Sequence, residues 1–151
     1  MTGRAVVGTV VGAVMALGAC AGPMQIDAPA PRGDDAARCR QLVDALPRSL
    51  AGQSIRTVQS TGAVAAWGDP AIVLRCGTSA ASGLGPASRC AVLDGVAWYA
   101  ENLGEDYRFT TIGRASVVEV TVPHTYAPES GPLLGLATAV KRTDPVVHRC
   151  V

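Results

Sequence analysis

The chain has 151 residues, of which 17% are charged, and its 13 basic side chains nearly balance 12 acidic ones for a formal charge of +1. That balance excludes the strong basic field with which nucleic-acid-binding proteins gather phosphates, and it supplies no acidic tail for a cationic partner. Lys141 is the single lysine among the basic residues, and only Trp67, Trp98, Tyr99, Tyr107, Phe109 and Tyr126 are aromatic.

The chain opens as a processing signal. Met1–Arg4 carries one positive charge, and Ala5–Leu17 is an uncharged run of Ala, Val, Gly, Thr, Met and Leu. As a helix the run spans roughly 20 Å, short of the ~30 Å hydrocarbon core, so it predicts a cleaved leader and not a membrane span. It ends in Leu17-Gly18-Ala19-Cys20, which resembles the lipobox of bacterial lipoproteins. Small residues at 18 and 19 suit entry into a peptidase cleft, and the Cys20 thiol can form a thioether to a diacylglyceryl group. The expected division is a signal peptide over 1–19, a lipidated cysteine and Pro/Ala-rich tether over 20–34, and one domain over 35–151. An ordinary secretory signal cut near Ala19 or Ala21 is the alternative. Without residues 1–19 the chain is formally neutral, since only Arg4 is lost.

Residues 21–34 contain three prolines and no apolar period, the composition of an extended linker. Cys39, Leu42, Val43 and Leu46 then fall on one helical face, with Asp34 or Asp35 at the start and Pro47 at the end. Short strands are predicted over 56–60, 63–67 and 71–76, with a turn at Gly68-Asp69-Pro70. A Gly/Ser-rich loop covers 77–89, and Asp94-Gly95 sets a hairpin between 90–93 and 96–101. Strands over 107–112 and 116–122 flank Gly113-Arg114. A second helix starts near Ser130 and Pro132, carries Leu133, Leu136, Ala137 and Val140 on one face, and ends in Lys141 and Arg142. The fold class is therefore α+β, a small antiparallel sheet with an N-terminal and a C-terminal helix packed on one face.

Five cysteines are an odd number for an exported chain. Assigning Cys20 to lipid leaves Cys39, Cys76, Cys90 and Cys150, an even set that can pair in an oxidising compartment. Cys76–Cys90 with Cys39–Cys150 is the favoured connectivity, the first closing the loop and the second joining the ends of the domain. Cys39–Cys76 with Cys90–Cys150 stays open. No C-x-x-C and no zinc-spaced Cys/His cluster is present, so neither a metal nor another cofactor is expected.

The series Leu46-Pro47, Trp67-Gly68-Asp69-Pro70 running into Leu74-Arg75-Cys76-Gly77, Gly95-Val96-Ala97-Trp98, Thr111-Ile112-Gly113-Arg114 and Val118-Glu119-Val120-Thr121-Val122-Pro123 resembles an actinobacterial family of secreted lipoproteins that carries a domain of unknown function. The resemblance covers about Cys39 to Val140, with Ala97 where the family often has Asp. It implies export and an envelope location, and carries no catalytic residue over. Genes of the family often lie near one for D-alanine–D-alanine ligase, which the resemblance turns into a hint of cell-envelope work.

Two constellations merit weighing. Trp67 and Asp69 read as a ligand edge or, with more weight, as a core tryptophan beside a tight turn. Arg75 and Glu119 alternate onto the outer sheet face and, with Arg114, read as an anion or polar-ligand site or as a surface ion pair. His124 and His148 read as surface residues, and no serine sits in a G-x-S-x-G elbow. The expectation is a non-enzymatic envelope lipoprotein on the extracytoplasmic face of the cell membrane, binding another envelope protein or a cell-wall component and no nucleic acid. A polar-ligand-binding module is the second reading, and an envelope hydrolase using carboxylates or His124 the third.

Overall fold

Alternation of apolar residues along five strands builds one sheet face, and two amphipathic helices cover it. A computed structural model describes residues 22–85 and 88–149. Strands β5 (Ala63–Trp67), β6 (Ile72–Cys76), β7 (Ala91–Leu93), β8 (Val96–Asn102), β9 (Asp106–Thr111) and β10 (Val118–Pro123) form a six-stranded antiparallel sheet in the order β5-β6-β10-β9-β8-β7. Helices α1 (Gly33–Asp44) and α2 (Gly131–Thr143) pack on it, and a 3-10 turn covers His124–Tyr126. Smaller strands β2 (Ser49–Leu50) and β3 (Gln53–Ser54) pair antiparallel, whereas β1 (Met24–Gln25) and β4 (Val58–Gln59) pair in parallel. The α+β class and the two bracketing helices follow the sequence expectation.

The core is what the periodicities predict. Ile72, Leu74 and Cys76 on β6, Val118, Val120 and Val122 on β10, and Val96 and Trp98 on β8 point inward and are buried. Leu133, Leu136, Ala137 and Val140 of α2 and Cys39 and Leu42 of α1 meet them. Each Val, Leu or Ile side chain among them contributes about 1.5–3 kcal/mol of burial. Trp67 is wholly buried, and its indole Nε1 donates to the Pro47 carbonyl at 2.9 Å.

The disulfide corrects the favoured pairing. Cys39 joins Cys76, with Cα atoms 5.5 Å apart. Cys76 faces inward beneath α1, whereas Cys90 precedes β7, four strand positions away across β10, β9 and β8. At ~4.8 Å per strand that is roughly 19 Å, far beyond the ~7 Å that a disulfide spans. Cys90 is also disulfide-bonded, and Cys150 lies outside the described residues, as does Cys20.

The outer sheet face is less open than alternation alone predicts. The chain from β6 must travel from one side of the sheet to β7 at the far edge, and its loop passes over Tyr99: a Cβ on Gly83 would stand 2.6 Å from the Tyr99 hydroxyl oxygen. Residues 22–32, read as a free tether, lie along the other end of this face. Met24 N–H donates to Thr57 O and Ile26 N–H to Gln59 O, while Ile26 buries against Ala66 and Val73. Gly62 permits the approach, since a Cβ there would fall 2.3 Å from the Pro29 carbonyl oxygen. The proline-rich stretch is thus a strap, held by backbone hydrogen bonds that composition does not reveal.

Candidate functional site

Alternation puts Arg75 and Glu119 on the outer face, directly opposite one another in register. Their side chains pair at 3.2 Å, and Arg75 Nε also donates to the Asp27 carbonyl of the strap at 3.0 Å. Glu119 reaches a second cation as well, Arg108, whose Nε stands 3.6 Å from Glu119 Oε2. Arg75 therefore fastens the strap to the sheet, with Glu119 balancing its charge. Trp67 is core, and Asp69 is an exposed turn residue, 3.8 Å from Arg56. The five residues Arg75, Arg114, Glu119, Trp67 and Asp69 do not converge on one site.

Arg114 sits elsewhere, in the turn between β9 and β10. Its Nη1 donates to the Asp144 carbonyl at 2.7 Å and its Nη2 to the Gly95 carbonyl at 3.0 Å. The C-terminal tail is tied to the same turn: Val147 and His148 donate to Gly113 O, and Ala115 to Pro145 O. A Cβ on Gly113 would lie 2.0 Å from the His148 carbonyl oxygen, so glycine alone admits this packing. Between tail and sheet edge lies a cleft of about 400 Å³, to which Arg114, His148 and Arg149 contribute the polar wall.

Behind Arg114 runs a polar network. Ser116 N–H donates to Asp144 Oδ1 at 2.9 Å, and Ser116 Oγ donates to Asp35 Oδ1 at 2.9 Å. Arg38 joins both, with Nε on Ser116 Oγ and Nη2 on Asp35. Arg38 lowers the Asp35 carboxyl below its usual value, helped by Ser116. Burial raises that of Asp144, against the opposing Ser116 amide and Arg114, and its Oδ2 has no hydrogen-bond partner among the described residues. The network ties α1, the β9–β10 turn and the end of α2 together. Ser116 is 2% exposed, so its hydroxyl is out of a substrate's reach.

His124 is not a lone surface residue. Its Nδ1 is bonded to Glu129 Oε1, and its ring meets Tyr107 edge-on with centroids 5.3 Å apart. Glu129 raises the imidazole's proton affinity, with a further contribution from the Gly104 backbone, and His124 in turn lowers the Glu129 carboxyl. The five-residue spacing from His124 to Glu129 was the available signal. For His148, Arg149 and Asp144 no local signal exists, because only the tail's return to Gly113 brings them to Arg114. Among the described residues no group of three or more His, Cys, Asp or Glu could hold a metal ion, and no helix is long and apolar enough to cross a membrane.

Fold and site together define a disulfide-stapled α+β domain with a basic-walled cleft at one end. A family model described as a protein of unknown function, DUF3515, matches residues 4–148. The chain belongs to that family. No curated protein and no solved structure matches it.

Proposed function

We propose that the chain is an exported lipoprotein, held on the extracytoplasmic face of the cell membrane by lipid on Cys20, and that its domain is a non-enzymatic binding module of the cell envelope. The observation that carries this reading is the Cys39–Cys76 disulfide, buried between α1 and the sheet. Such bonds persist in oxidising compartments. Cys90 is also bonded, and a pairing with Cys150 would complete an even set and leave Cys20 for lipid.

The docked strap gives the anchored domain its position. Met24 is already paired with Val58, so at most about 14 Å of extended chain separates Cys20 from the fold. An anchored domain therefore rests close to the lipid headgroups. A binding role suits the side chains too: both Ser116 and Asp144 are buried, and His124 is engaged with Glu129.

Cys20→Ala tests the anchor. In cells expressing the full chain, the variant is expected in the medium or the soluble fraction, while the unaltered protein sediments with membranes. A variant that still sediments overturns the anchor.

A further inference from the structure

We propose that the cleft beside Arg114 binds a small amphiphilic anion, a carboxylate or phosphate carried on an apolar body. This deepens the binding-module reading and does not depend on the anchor. The cleft's walls differ in character. Arg114, His148 and Arg149 are its polar lining residues, and among the described residues no Asp or Glu lines it. The rest of the lining includes Val92, Ala97, Ile112 and Val146, of which Val92 and Val146 are 61% and 55% exposed. Apolar side chains that face water beside permanent cations match a ligand with both characters.

Arg114 is positioned for this task. It is 9% exposed, and its two hydrogen bonds go to neutral carbonyls, so they hold the guanidinium without neutralising it. A guanidinium has five N–H donors, which leaves donors over. The nearby Asp144 carboxyl has its proton affinity raised by burial, against the Ser116 amide on its Oδ1 and the Arg114 charge. Arg149 makes no ion pair among the described residues. The wall is preformed, since Gly113 fixes the tail through the Val147 and His148 amides, so little ordering cost falls on binding. A cleft of about 400 Å³ lies at the small end of ligand pockets.

The test is a chemical-shift titration of the full exported chain carrying Cys20→Ala, with hexyl phosphate, hexanoate, 1-hexanol and inorganic phosphate as probes. Hexyl phosphate or hexanoate is expected to bind at millimolar concentration or tighter, at least about tenfold better than 1-hexanol or inorganic phosphate, the gain a charged hydrogen bond gives. Shifts should centre on Ala97, Ile112 and Arg114. Arg149→Gln, an exposed tail residue, should weaken the anions about tenfold and leave 1-hexanol unchanged, and Ala97→Leu should fill the cleft and abolish binding. Equal binding of 1-hexanol, or anion affinity unchanged in both variants, overturns the proposal. Sedimentation with phosphatidylglycerol vesicles but no response to the soluble anions overturns the cleft while leaving a binding module in place. No response to any probe overturns the cleft as well.

Discussion

His124 and Asp144 show how far a residue's chemistry departs from its local sequence. His124 lies between two prolines' worth of turn, yet Glu129 and the Gly104 backbone raise its proton affinity above the ordinary value of 6.5. A histidine whose pKa rises on folding adds stability that is fully present below 6.5 and is lost as pH climbs through the higher folded value. Thermal melts should therefore show the midpoint falling as pH rises from 6 toward 9. Glu129→Gln or His124→Gln should flatten that slope; a slope equal to the unaltered protein's in both variants would contradict the assignment. At this scale the sequence revealed what alternation governs. Arg75 and Glu119 fell on the same outer face because period two leaves no choice, while their direct opposition rests on β6 pairing with β10. It could not reveal that Arg75 also grips the strap carbonyl of Asp27, since that contact spans 48 positions in the chain.

Elements were legible where a local rule dictates them. Asp94-Gly95 fixed the β7–β8 hairpin, and Asp94 takes the positive backbone φ of 43° that such a turn demands. The stripes through Leu42 and Leu136 gave both helices their buried faces. Strand order was not legible, because β6 pairs with β10 and not with β7, and that choice moved Cys76 away from Cys90. Nor was the strap: proline content argues for extended chain, and extended chain can dock as readily as it can dangle. The Cys39–Cys76 bond closes a sequence separation of 37 residues. Replacing both with Ala should cost about 4 kcal/mol on the chain-entropy model, read as a lowered denaturant midpoint. A Cys76→Ala, Cys90→Ala pair should do worse than the loss of one bond, because it breaks two. Equal midpoints for the two double variants would contradict the pairing.

The described chain combines a strap and a domain in which each layer is fastened to the next. Helix α1 is bonded covalently to β6, the strap pairs with β4 and is held by Arg75, and the tail returns to Gly113 beside Arg114. That return makes the basic-walled cleft. The candidate site was legible only as the single residue Arg114, because its other parts reach it through the fold.

The most direct test of the account is the mass of the tryptic peptide that ends at Arg32, taken from protein in the membrane fraction. A lipid-anchored Cys20 predicts a peptide beginning at Cys20 and heavier than its unmodified sequence by a diacylglyceryl group, with or without a further N-acyl chain. A peptide beginning at Ala21, or at Cys20 with a free thiol, would contradict it.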